Sequence, residues 1–155
     1  MNLPPPPPSN ADDLQWSDAL LVGYPPMDNI HREFVETVKA LLNATDADLP
    51  RRLDAFAEHA RRHFGEEDRW MMETDFPASE CHIDEHAAVM RSVEQVRHLL
   101  ERGDSSECRR LARELMRWFP GHADYLDSAL AHWMSKRRFG GKPVVLRRDL
   151  KKTDS

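Results

Sequence analysis

Seven side chains stand out by type and spacing: His31, His63, Glu67, His82, His86, His122 and Asp127. Most of them fall on the inward stripes of four predicted helices. A folded chain rarely points this many titratable groups at its own interior, because a buried charge or unpaired polar atom costs several kcal/mol. A metal ion removes that conflict, since imidazoles bind it through a ring nitrogen and carboxylates offset its charge. The pattern reads as a helical bundle built around a metal centre.

The elements that must position these groups follow from hydrophobic periodicity. The first helix is predicted from Met27 or Asp28 to about Asn43, with Asp28 as its cap and an apolar stripe of Phe34, Val38 and Leu41 that His31 extends by one turn. The second runs from about Asp48 to Thr74 with Pro50 in its first turn, and its stripe is Leu53, Phe56, Ala60, His63, Glu67 and Trp70. Phe76-Pro77 breaks the chain, and Ser79 is predicted to cap a third helix that presents His82, His86, Val89, Val93, Val96 and Leu100 before Gly103. Asp104 and Glu107 form a capping-box-like start to the fourth, whose stripe is Leu111, Leu115, Trp118 and His122. Pro120 removes a backbone bond inside that helix, so a kink is expected there. Short connections between four such helices predict an all-α, up-down-up-down four-helix bundle.

A histidine and a carboxylate at 63 and 67 lie one helical turn apart on one face, and so do the histidines at 82 and 86. Such pairs are common and inert on surfaces. Here Phe56 and Trp70 bracket the first, while Val89 and Val93 continue the second, so both point inward. His31 and His122 are single, and gain weight only because their helices must pack on the two that carry pairs. Asp127 lies five residues past His122, about 140° around an ideal helix, and spacing alone does not choose it over Asp124. His59, flanked by Arg61 and Arg62, is read as exposed, and His98 and His132 as surface or packing residues.

At 155 residues one domain is expected, with roughly 70% of the unfolded surface buried. Residues 4–8 are five consecutive prolines, and residues 1–13 read as a proline-rich, disordered arm. The helical domain is assigned to 14–138 and a basic tail to 139–155. Residues 136–155 carry eight Lys or Arg against two Asp, a net of +6, so the preceding residues hold −11 of a total of −5. An acidic body excludes nucleic acid as the domain's expected partner, while the basic tail would suit an acidic partner. No stretch is apolar enough to span a bilayer and no basic-then-apolar leader is seen, so a cytoplasmic location is expected. Cys81 and Cys108 read as reduced thiols.

The motifs also resemble a known family. Trp16 through Gly23, then Met27-Asp28-Asn29-Ile30-His31, resembles the opening of bacteriohemerythrins, and H-F-x-x-E at 63–67, H-x-x-x-H at 82–86 and H-x-x-x-x-D at 122–127 follow in the family's order. Trp118, four residues before His122, also matches. The resemblance spans about residues 14–135 and implies a hemerythrin-like bundle holding two iron ions in an oxygen-bridged, non-haem centre. It implies that His82, His86 and His122 bind a closed iron, that His31 and His63 bind an open one, and that Glu67 and Asp127 bridge them. Dioxygen would be taken up at the open iron, in a pocket lined by Phe34, Phe64, Trp118 and Phe119. The chain departs from the common family pattern at Ile30, Phe119, Pro120 and Ala123, which leaves the ligands intact and bears on pocket size and oxygen release.

The resemblance implies reversible dioxygen binding for storage, delivery or sensing, with no catalytic residues. The alternative is a di-iron oxidoreductase acting on peroxide or nitric oxide through the same ligands. A ferritin-like oxidase would need Glu-x-x-His pairs, which are absent. A zinc peptidase formally matches H-x-x-E-H at 82–86 with Glu85 as base, but Glu85 lies off the apolar stripe and the other ligands would go unexplained.

Overall fold

In the computed structural model, which describes residues 16–138, the described residues form five α-helices: α1 (Pro25–Leu42), α2 (Leu49–Glu73), α3 (Ser79–Glu101), α4 (Ser106–His122) and α5 (Ser128–Arg138). A π-helical turn, Ala123–Asp127, joins α4 to α5, so the last two form one continuous limb. The proline arm and the basic tail lie outside the described residues. Among those described, no helix is long and apolar enough to cross a membrane.

Helix α1 packs on α2, α2 on α3, α3 on α4, and α4 back on α1. This closed ring of neighbours, with short links between them, is the four-helix bundle predicted from periodicity. The helix bounds differ from prediction chiefly at the caps. Tyr24 precedes α1, and Pro25 and Pro26 occupy its first positions, where a missing N–H is harmless. Asp28 is therefore inside the first turn rather than at the cap, and its buried Oδ1 accepts the Val22 N–H at 2.8 Å, tying the N-terminal loop to the bundle. Ser79 is the first residue of α3, and the cap position falls to Ala78, which has no side chain able to cap. Asp104 accepts from the Ser106 N–H at 3.1 Å, just ahead of α4. Gly103 takes φ +93°, a left-handed conformation that lets the chain turn sharply after α3.

Two apolar clusters fill the bundle. The larger includes Phe34, Val38, Leu53, Phe56, Val93, Leu111, Leu115 and Phe119; the smaller includes Tyr24, Met27, Met71, Phe76 and Leu130. Each such large side chain contributes roughly 1.5–3 kcal/mol on burial. On three limbs a polar residue falls between members of the two clusters: His31 between Met27 and Phe34, Glu67 between Phe64 and Met71, His122 between Phe119 and Leu130. A polar layer is thus clamped between two hydrocarbon layers.

Candidate metal centre

All seven predicted residues meet in that layer, and each is at most 4% exposed. Helix α1 supplies His31, α2 supplies His63 and Glu67, α3 supplies His82 and His86, and α4 with the π turn supplies His122 and Asp127. Their ligating atoms form two groups that share Glu67: His31 and His63 in one, and His82, His86, His122 and Asp127 in the other.

The carboxylates divide their oxygens between these groups. Glu67 Oε2 lies 2.9 Å from His63 Nε2 and 3.2 Å from His31 Nε2. Its Oε1 lies 3.3 Å from His86 Nε2 and 3.8 Å from His82 Nε2. Asp127 does the same, with Oδ1 at 2.8 Å from His82 Nε2 and 3.2 Å from His122 Nε2, and Oδ2 at 3.0 Å from His31 Nε2.

Several of these close approaches are poorly aligned for hydrogen bonding. Glu67 Oε1, Asp127 Oδ2, His86 Nε2 and His122 Nε2 are buried without a hydrogen-bond partner. Orphaned donors and acceptors at this depth are expensive. Converging nitrogen and oxygen lone pairs, with hydrocarbon on both sides, are instead a fit for metal ions.

The π turn accounts for Asp127. An ordinary α-helix would rotate it away from His122. In the wider turn, bonded i to i+5, five residues pass one revolution by far less than in an α-helix, which brings both side chains toward the same face. Asp124, the rival by spacing, is exposed.

Aromatic rings close the layer. Phe34 and Phe119 stack at 4.8 Å, and their edges meet His63 at 5.7 Å and His31 at 5.2 Å. Phe64 stacks on His86 at 4.1 Å and also touches His63 at 4.9 Å. Trp118 stacks on His122 at 4.2 Å. Of the four proposed pocket residues, Phe34 and Phe119 therefore border the two-histidine group, Trp118 borders the three-histidine group, and Phe64 touches both.

Comparison with known proteins agrees with this geometry. Residues 22–133 match the model of the hemerythrin HHE cation-binding domain. The chain belongs to the hemerythrin family. It is similar to a bacteriohemerythrin of Ralstonia nicotianae, 39% identical over 124 residues that cover 80% of this chain and 90% of the relative. No solved structure matches. This bacteriohemerythrin-like chain thus carries a cation-binding domain, and its buried histidine–carboxylate layer is the place in it suited to hold the ions.

In this hemerythrin fold the electrostatics of the layer are strongly coupled. Burial opposes charge on His31, but Asp127 and Glu67 outweigh it and lift its pKa to about 10. Burial also opposes charge on His86, while its hydrogen bond to Asp68 and the nearby Glu67 carboxylate carry it up to about 9. Burial dominates at His63 and pushes it down. Burial works against ionisation of both Glu67 and Asp127, yet the surrounding histidines hold both below the usual carboxylate range.

Three residues have roles that sequence reasoning did not assign. His59, read as exposed, is 5% exposed, packed against Phe34 and His63, with its Nδ1 3.7 Å from Glu33. It is buried because the ring sits in the α1–α2 seam while the arginines beside it point to solvent. Burial, His63 and Arg62 lower its pKa to about 4. A cleft of about 280 Å³, lined by Ile30, Glu33, His59, Arg62, His63 and Glu66, opens there. Asp68 and Glu85 each accept a hydrogen bond from a histidine of the layer: His86 Nδ1 to Asp68 at 2.8 Å, and His122 Nδ1 to Glu85 at 2.8 Å. That contact gives Glu85 a place beside the layer without the peptidase reading. Cys81 is exposed and Cys108 buried, both as free thiols.

Proposed function

We propose that the protein holds a di-iron centre and binds dioxygen reversibly, as a store, carrier or sensor rather than as an enzyme. The observation carrying this reading is the division of Glu67 and Asp127 between two unequal histidine groups. Two carboxylates that each turn one oxygen to either side suit two ions held close together. His82, His86 and His122 would hold one, and His31 and His63 the other, with Glu67 and Asp127 bridging.

The second group has one imidazole fewer, which leaves a position for a small external ligand. An iron pair, when bound, supplies the electrons that dioxygen takes up on binding and returns on release. The residues around it favour return over further reaction. Phe34 and Phe119, both fully buried, set hydrocarbon against His31 and His63 on the bundle's inner side. His59, next to His63, is held neutral by burial and so is not a ready acid at neutral pH.

Stopped-flow spectroscopy of the iron-loaded, anaerobically reduced protein tests this. A visible band should form with oxygen and vanish on its removal through repeated cycles. Sustained consumption of peroxide or nitric oxide without a stable oxygen adduct would favour the oxidoreductase alternative instead.

A further inference from the structure

A histidine that binds metal through Nε2 must keep its proton on Nδ1, and what accepts that proton sets both the ring's orientation and its strength as a donor. The five histidines of the layer differ sharply in this respect. His86 Nδ1 donates to Asp68 and His122 Nδ1 donates to Glu85, each at 2.8 Å. Nδ1 of His31, His63 and His82 is buried without a partner. Both carboxylate-backed rings thus belong to the three-histidine group, and neither ring of the two-histidine group has such backing.

The two carboxylates also reach between helices. Asp68 follows Glu67 on α2 and holds a ring from α3, while Glu85 precedes His86 on α3 and holds a ring from α4. Glu85 additionally accepts the indole N–H of Trp118 at 3.3 Å, the same indole that stacks on His122. One carboxylate therefore fixes both the ring and the aromatic plane lying on it. Asp68 and Glu85 are 33% and 42% exposed, so water hydrates their charge while their inner oxygens reach buried nitrogens.

We propose that Asp68 and Glu85 are positioning residues that make the three-histidine half the tighter and more electron-rich of two metal sites. The proposal rests on the reading that the seven inner side chains hold a metal pair. A charge-assisted acceptor draws the Nδ1 proton away and strengthens donation from Nε2 to a cation. Applied on one side only, it makes the two sites unequal beyond the difference in donor number. The more oxidised ion is then favoured on the backed side, and the unbacked side is left for the external ligand.

Asp68→Asn and Glu85→Gln test this, because the amides keep size and an acceptor oxygen but lose the charge. The metal-free full chain is titrated with zinc against a chromophoric chelator, with melting curves recorded for each variant. The unaltered protein should take up two ions in two resolvable steps. In each variant the tighter step should weaken about 10–100-fold while the weaker step holds, and the double variant should bring the two steps together. Glu58→Gln removes a charge from the same helix as Asp68, at a residue that bonds Arg61, and should change neither step.

In the cobalt-loaded protein, the far-shifted ring N–H proton of His86 should exchange faster with solvent in Asp68→Asn, and that of His122 in Glu85→Gln. A purely structural role would not produce this pairing. For the iron-loaded protein the midpoint potential should rise in both variants. Two unchanged steps, or both weakened equally, would overturn the proposal while leaving the metal-pair reading intact. Uptake of fewer than two ions by the unaltered protein would overturn both.

Discussion

On one side of the shared Glu67 and Asp127 stand His31 and His63, edged by Phe34 and Phe119, with no partner at their outer nitrogens. On the other stand His82, His86 and His122, two of them braced by carboxylates whose far sides reach water. Both halves are equally buried, so depth does not distinguish them. Aromatic rings border both groups, so the difference lies at the outer ring nitrogens: unpartnered at His31 and His63, hydrogen-bonded to carboxylates at His86 and His122. A bundle can thus make two histidine–carboxylate groups unlike both in donor number and in what backs the rings. In the proposed function, the half with fewer imidazoles is the one that takes the external gas.

The sharpest way to break the comparison is at the residue that both halves share. Glu67→Ala should abolish metal binding on both sides, leaving well under one iron per chain by elemental analysis. His63→Ala should empty only its own half, leaving one iron and no oxygen-dependent band. Retention of two irons in either variant would remove the basis for two groups.

Phe119→Ala comes next, since it strips hydrocarbon from the two-histidine half alone. The metal-free protein should lose about 3–5 kcal/mol in chemical denaturation. Oxygen release and oxidation of the loaded protein should accelerate severalfold, with two irons still bound.

The pH dependence of the metal-free protein probes one histidine from each half. With folded pKa values raised to about 10 at His31 and about 9 at His86, the stability they confer is full below about 6.5 and falls as pH rises through 9 to 10. The lowered values of Glu67 and Asp127 contribute stability above the usual carboxylate range that is lost on acidification. Melting temperature should therefore drop by several degrees between pH 7 and 10. Metal loading should remove the alkaline decline, because ligand imidazoles give up those protons to bind. The smallest effect is expected from His98→Ala, on an exposed face far from either half, which should stay within about 0.5 kcal/mol of the parent in denaturation.

The bundle was legible because its apolar residues keep a strict three-and-four alternation: α2, expected from about Asp48 to Thr74, runs from Leu49 to Glu73. The same alternation placed His63, Glu67, His82 and His86 on inward faces. It failed where the backbone leaves that period. Asp127 is out of phase with His122 by any α-helical count, and only the π turn brings them together. The five-residue offset is itself the trace of that turn, but in the sequence only the family resemblance singles it out. His59 was misjudged from its charged neighbours, although its one-turn spacing from His63 pointed into the seam. Asp68 and Glu85 look like ordinary solvated acids in a sequence, and only helix packing shows that each sits one residue from a ligand while gripping another.

Under the proposed function one chain holds two unlike irons, and only one of them meets dioxygen. A Mössbauer spectrum of protein loaded with isotopically enriched iron measures this directly. After exposure to oxygen it should show two quadrupole doublets of equal area, which merge back toward the reduced spectrum when oxygen is withdrawn. A single doublet that oxygen leaves unchanged, or an iron content of one per chain, would contradict the account.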